Sequence, residues 1–244
     1  YWSTGQFVLG MFKGAAVVAV YAVAIQLQAI YMGFSTAISG VFLPKVTAMV
    51  TKENNEKAIS DLFIRTGRIQ YIIIAFILTG FVVFGKSFIR LWAGSDYEDA
   101  YGITLCFFIP MTVPLIQNLG IIILQARNQM KFRSTLYVVI AFVSLVISIP
   151  LSKQYGGIGC AISIALALTT GQIIVMNIYY HRVIHIDILD FWKEIGKMSL
   201  VPFAIGSLSF YLFCIYEIHT VQIFIVCIFA FSCIYVPLFW FFGM

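Results

Sequence analysis

Pro110 and Pro114 stand four residues apart in Ala100–Ala126, a stretch without a charged residue, and Gln117 and Asn118 follow close behind. A proline inside a helix removes a backbone donor and kinks or breaks the helix. Uncharged amide side chains beside such a break, at membrane depth, are one way to line a solute path. The same residues also suit a plain kink whose freed backbone groups are satisfied by neighbouring helices. Both readings make Pro110 and Pro114 a helix hinge.

Other chemistry is sparse. His181 and His185 are four apart with Asp187 and Asp190 behind them, but they lie in a connection of mixed charge and lack the H-E-x-x-H arrangement, so no metal is read there. Cys106, Cys160, Cys214, Cys227 and Cys233 contain no C-x-x-C pair and read as small core residues. No G-x-S-x-G, phosphate-binding loop or glycine-rich dinucleotide fingerprint occurs, so no cofactor is expected. All ten acidic residues fall in connections. That argues against paired-carboxylate catalysis and against an embedded carboxylate relay for protons or sodium in this stretch. The chain reads as a protein that is not an enzyme.

The elements that position these residues follow from where charge is missing. The chain has 244 residues, 61% of them apolar and 10% charged, with a mean hydropathy of +0.98, where soluble domains run about 45–50% and about 25%. Seven stretches lack any Asp, Glu, Lys, Arg or His: Gly14–Pro44, Ile69–Gly85, Ala100–Ala126, Ser134–Ser152, Gln154–Tyr180, Met198–Tyr216 and Thr220–Met244. Most exceed the roughly 18 residues that cross a bilayer core. The fold class expected is all-α, a polytopic transmembrane helix bundle. Its full spans are expected at 18–44, 66–88, 100–126, 132–152, 157–181, 198–216 and 220–242, with 1–12 a partial one. Twelve residues rise only about 18 Å, so Tyr1–Phe12 reads as the second half of a span that begins upstream, and the chain as part of a longer protein.

The scarce charges orient these spans. Eleven of the fifteen basic residues (Lys45, Lys52, Lys57, Arg65, Arg68, Arg127, Lys131, Arg133, Arg182, Lys193 and Lys197) gather in alternate connections. Lys13, Lys86, Arg90 and Lys153 fall on the other side, with Asp96, Glu98 and Asp99. The bias of cytoplasmic loops towards Lys and Arg makes the richer side cytoplasmic, together with the C-terminus at Met244. The net charge of +5 is thus a topology signal, since cations standing singly at helix ends do not form a nucleic-acid surface. Trp92, Trp192 and Trp240 fall near stretch edges, where amphipathic rings settle at headgroup level.

Small residues point to close packing. Gly159, Ser163, Ala167 and Gly171 recur every four positions, a helix-packing row that lets backbones approach. It is expected to make Gln154–Tyr180 the most enclosed segment. Gly33 and Ala37, flanked by Ser35 and Ser39, form a weaker version, after which Pro44 is expected to end its helix. Gln26 and Gln28 lie on different faces, so at most one enters an interior.

Four stretches carry a family resemblance: Phe12–Ala24, Ser35–Lys45 ending S-G-V-F-L-P-K, Leu124–Arg133 reading L-Q-A-R-N-Q-M-K-F-R, and Tyr155–Ser163 reading Y-G-G-I-G-C-A-I-S. In their order along the chain they resemble the polysaccharide flippases, of the superfamily that also holds multidrug extruders and the lipid II flippase. The resemblance implies a two-lobe, alternating-access transporter of which residues 1–244 form the C-terminal lobe, the N-terminal lobe lying outside this sequence. It implies a multi-pass protein of the plasma (inner) membrane. Such a protein flips a polyprenyl-pyrophosphate-linked oligosaccharide to the outer leaflet for O-antigen, capsule or exopolysaccharide assembly of lipopolysaccharide and related glycans. The implied partners are that lipid-linked cargo, membrane lipids, the other lobe, and the polysaccharide polymerase and chain-length machinery.

Family cavities are lined with cationic and polar side chains, and the positions matching here are Lys13, Arg65, Arg68 and Arg127, with Gln117 and Asn118 as sugar contacts. Each cation has a second reading. Arg65 and Arg68 suit snorkelling to headgroups, Arg127 a topology marker, and Lys13 a loop cation. Two other function classes stay open. A cation-coupled multidrug extruder of the same fold would carry an apolar, aromatic cavity with a buried acid. A membrane-embedded glycan ligase or acyltransferase would need a large catalytic outer loop.

Overall fold

A computed structural model describes residues 2–52, 56–215 and 220–242, and no strand occurs among them. The elements are α1 (Trp2–Phe12), α2 (Ala15–Lys52), α3 (Glu56–Trp92), a short turn of 3-10 helix (Ser95–Tyr97), α4 (Ala100–Ile116), α5 (Leu119–Ala126) and α6 (Met130–Leu168). A π-helical segment (Thr169–Val175), α7 (Met176–Arg182), α8 (Ile188–Ile215) and α9 (Val221–Phe242) complete the chain. Met244, on which the expected C-terminal orientation falls, lies outside the described residues.

Among the described residues, five helical runs are long and apolar enough to cross a membrane: Ala15–Val50, Glu56–Trp92, Met130–Arg182, Ile188–Leu212 and Val221–Phe241. The pair α4 and α5, bent by 48° at its break, makes a sixth. The chain is therefore an all-α, multi-pass membrane bundle. Met130–Arg182 has 53 residues, far more than the roughly 20 that a bilayer core takes, and it folds back on itself. Gly156 turns it with φ 61° and ψ −134°, left-handed backbone that glycine adopts without a Cβ clash. Beyond the turn, Gly159 lies against the Leu151 carbonyl and Gly171 against Ile140. Those pairings are antiparallel, so Gly159, Ser163, Ala167 and Gly171, all buried, form the seam between two arms of one hairpin.

That hairpin corrects one expectation. The second arm is dense on its seam, yet Ile158, Leu166, Ile174 and Ile178 on its other face are exposed. The enclosed segment is instead α4 with α5, where Phe107, Leu119, Ile123 and Leu124 have no exposed surface. It packs among α2, α3, α6 and the π-helical segment.

The helices also run further than the charge-free stretches. α2 continues through Pro44 to Lys52, α3 begins at Glu56, and α8 begins at Ile188. Proline removes only one intrahelical bond, and Val46, just beyond it, is 1% exposed, so packing carries α2 past the defect. At the start of α3, Ile59, Leu62, Phe63, Thr66 and Gly67 are buried at helical spacing while Asp61 and Arg65 face outward. Charge alone marks these turns as loop, whereas their apolar period of three and four marks them as amphipathic helix.

Contacts sort the charges between the two ends of the bundle. At one end the Asp187 amide donates to Ser60 Oγ (2.9 Å), Arg127 reaches the Ile184 carbonyl, and Arg68 meets Glu194 at 3.5 Å. At the other, Arg90 and Lys86 meet Glu98 at 3.4 and 3.7 Å, and Lys153 Nζ sits 4.9 Å from the centre of the Phe12 ring. Aromatic pairs tie the helices between these ends. Tyr31 stacks on Phe108 with ring centres 4.1 Å apart, and Phe84 meets Phe231 edge-on at 5.5 Å, joining α2 to α4 and α3 to α9.

Candidate functional site

The break between α4 and α5 is built from both sides. Helix α4 runs through Pro110 and Pro114, and the chain changes direction at Gln117 and Asn118, three residues beyond the second proline. The Gln117 amide bonds back to Val113 and the Asn118 amide only to Leu115, so the helical ladder slips at this point. The carbonyls of Leu115 and Ile116 are thereby exposed to lateral partners. Ser35 Oγ of α2 donates to the Leu115 carbonyl at 2.6 Å. The Gln70 amide of α3, in the orientation that satisfies all its neighbours, donates to the Ile116 and Leu115 carbonyls at 2.9 and 3.2 Å and accepts from Ser39. Inside a membrane bundle each freed backbone group needs such a partner.

Gly67 lets this happen. A Cβ there would stand 3.0 Å from the Ile116 carbonyl and collide with the Phe191 ring. Without it, α3, α8 and the end of α4 meet closely enough for Gln70, one turn on, to reach the break.

On the opposite side a chain of amides takes over. Gln117 Nε2 donates to Asn177 Oδ1 at 2.8 Å, and Trp192 Nε1 donates to the same oxygen at 2.9 Å. Asn177 Nδ2 donates to the Ile173 carbonyl within the π-helical segment at 2.6 Å. Gln117 is 2% exposed and Asn118 8%. In the same π-helical segment Gln172 is buried and its Nε2 has no hydrogen-bond partner among the described residues. The broken helix, the π-helical segment and the start of α8 thus share one polar seam. Such wide turns recur where a helix serves a function rather than only a scaffold.

The structure does not gather the other expected site residues around this seam. Lys13 is exposed at the turn between α1 and α2, at the end of the bundle that holds Lys153. Arg65, Arg68 and Arg127 share the opposite end. Arg65 is exposed, Arg68 pairs with Glu194, and Arg127 Nη1 donates to the Ile184 carbonyl at 3.3 Å. Asn177, Trp192, Gln70 and the roles of Ser35 and Ser39 were not read from the sequence. Ser35 and Ser39 stood out as small positions, and Trp192 as a headgroup-level ring. Gln28 is the buried member of its pair, with Nε2 on Met32 Sδ at 2.7 Å, while Gln26 is exposed.

A second feature lies against α3, α4 and α8: an open cavity of about 660 Å³ lined by Tyr71, Thr79, Ile109, Thr112, Phe203 and Phe210 among others. It is apolar apart from hydroxyl groups, four of which are engaged: Tyr71 donates to Ser199 at 2.7 Å, Ser199 to the Ile195 carbonyl and Thr79 to the Ala75 carbonyl, each at 2.7 Å, and Thr112 meets Tyr31 at 2.9 Å. It contains no charged residue. No group of three His, Cys, Asp or Glu able to hold a metal ion occurs among the described residues.

Fold and site together define a multi-pass helical membrane protein with a polar break in an enclosed helix. No family model matches the chain, and no solved structure does. Over 174 residues, 70% of the chain, it is 22% identical to "Probable flippase AglR" of Haloferax volcanii, covering 36% of that protein. The chain thus spans about a third of the length of that relative.

Proposed function

We propose that this chain is the C-terminal lobe, one partial and seven full spans, of a flippase that moves a polyprenyl-pyrophosphate-linked oligosaccharide from the cytoplasmic to the outer leaflet of the plasma membrane. The observation that carries the reading is the buried break at Gln117–Asn118, where Gln117 is held by Asn177, itself held by Trp192, rather than by charges. Neutral amides suit sugar hydroxyls, which need both donors and acceptors. The similarity to a probable flippase supports the same class. In this reading Gln117 and Asn118 contact the glycan as the lobes rock. Arg65, Arg68 and Arg127, at the cation-rich end, draw the pyrophosphate in from the cytoplasmic leaflet, and Lys13 faces it at the other. The apolar cavity on α3, α4 and α8 suits the hydrocarbon portion of the cargo. Membrane potential suffices as a driving force. A cargo of charge near −2 leaving an inside-negative potential of about 100 mV releases about 4.6 kcal/mol, a bias of over a thousandfold.

The cavity also favours a second reading, a cation-coupled multidrug extruder, since its aromatic and apolar wall would hold a lipophilic solute. No acidic residue is buried among the described residues, which leaves the flippase ahead. Cells lacking the protein test the choice: the flippase reading expects loss of surface glycan with lipid-linked oligosaccharide trapped on the inner leaflet. Normal surface glycan together with raised sensitivity to lipophilic cations would favour the extruder.

A further inference from the structure

Arg133 is the one charged side chain that is buried among the described residues, at 6% exposure, and no carboxylate pairs with it there. Its Nη2 donates to Tyr137 Oη at 2.7 Å, its guanidinium carbon lies 5.0 Å from the centre of the Tyr137 ring, and the Tyr180 hydroxyl is beside it. Tyr180 in turn is pressed against Gly120 of α5. Tyrosine rings and hydroxyls orient a cation without cancelling its charge. Leaving a guanidinium buried and unneutralised in a membrane bundle is expensive, and intramembrane ions are normally paired.

The position compounds the cost. Arg133 falls in the first turn of α6, at the positive end of the helix dipole, where no acidic residue stands and Gln129 gives no side-chain cap. Lys131 shares that turn, and Arg127 precedes it. Each fixed charge and dipole here opposes a cation and favours an anion.

We propose that Arg133, with Tyr137 and the N-terminal turn of α6, is a phosphate site that takes the headgroup of an anionic lipid. The guanidinium fork matches two phosphate oxygens at once, and the positive end of the helix dipole adds to its pull on an anion. The site lies at the cation-rich end of the bundle and involves none of the residues assigned to the polar seam. Two lipids carry the required chemistry: an anionic phospholipid of the bilayer and the pyrophosphate of the cargo. Only the second rests on the flippase reading.

The test is native mass spectrometry of the purified, delipidated full-length protein, titrated with phosphatidylglycerol, farnesyl pyrophosphate and diacylglycerol. Loss of the fork and its charge in Arg133→Gln is expected to weaken the phosphate-bearing probes at least about tenfold and leave diacylglycerol unchanged. Arg133→Lys keeps the charge but not the fork and is expected to weaken them about threefold. It carries the test alone where the glutamine variant does not fold. Weakening of phosphatidylglycerol alone assigns the site to bilayer lipid, weakening of the pyrophosphate alone assigns it to cargo, and either supports a phosphate site. Unchanged binding of both, or equal weakening of diacylglycerol, overturns it. None of these bindings requires transport. A protein that flips cargo but binds phosphate without Arg133 refutes this site and leaves the flippase reading intact, and the opposite pattern does the reverse.

Discussion

Replacing Asn177 by leucine removes the hub of the polar seam. Its Oδ1 accepts from Gln117 at 2.8 Å and from Trp192 at 2.9 Å, so two interhelical hydrogen bonds are lost together. Interhelical hydrogen bonds in membrane proteins average about 0.6 kcal/mol, giving about 1.2 kcal/mol for the pair. The larger effect is on Gln117, 2% exposed, whose amide is left without its partner at a further cost of about 1–3 kcal/mol. The expected destabilisation is about 3 kcal/mol. Gln117→Leu alone strands part of Asn177 and costs about 1–2 kcal/mol on the same scale. The double variant Gln117→Leu/Asn177→Leu strands only the Trp192 indole, because removing both partners of a buried bond is nearly neutral. Unfolding of the purified protein in detergent, followed for wild type and all three variants, measures the coupling. The double variant is expected to be at least about 1 kcal/mol more stable than the sum of the singles implies. Additive losses would refute the seam, because they would mean that Gln117 and Asn177 do not depend on each other.

Three further outcomes are expected. Gly67→Ala collides with Phe191 and crowds the Ile116 carbonyl, so it should cost about 2 kcal/mol or more by overpacking, whereas Gly33→Ala, whose Cβ meets nothing within 4 Å, serves as the unstrained comparison in the same unfolding assay. Glu194→Gln breaks the Arg68 and Lys197 contacts, but the ionic side chains are about a third or more exposed, so thermal unfolding should move by less than about 1 kcal/mol. Arg127→Ala in the full-length protein should lower surface-glycan display without lowering protein level, and unchanged display would remove Arg127 from the site.

The helical, membrane-spanning character was legible because it rests on charge exclusion, which any stretch such as Ala100–Ala126 displays on its own. The ends of helices were not, because a charged residue marks an interface and not the end of a helix. Ile59, Leu62, Phe63 and Thr66 carried the helical period needed to extend α3 back from residue 66 to Glu56. The break behind Pro110 and Pro114 was visible as a feature, and Gln117 and Asn118 as its polar flank. What satisfies it was hidden, since Ser35, Gln70 and Asn177 lie 80, 46 and 60 positions from the groups they meet and only folding brings them together. Arg133 was counted among the loop cations because sequence position does not reveal that Tyr137 and Tyr180 pack beside it.

The central claim is tested most directly by reconstituting the full-length protein in liposomes that carry a labelled polyprenyl-pyrophosphate oligosaccharide in the inner leaflet. Under an inside-negative potential, label should appear in the outer leaflet, faster at larger potential and slower with Gln117→Leu/Asn177→Leu. No translocation under any potential, alongside efflux of a lipophilic dye driven by a sodium or proton gradient, would contradict the flippase account.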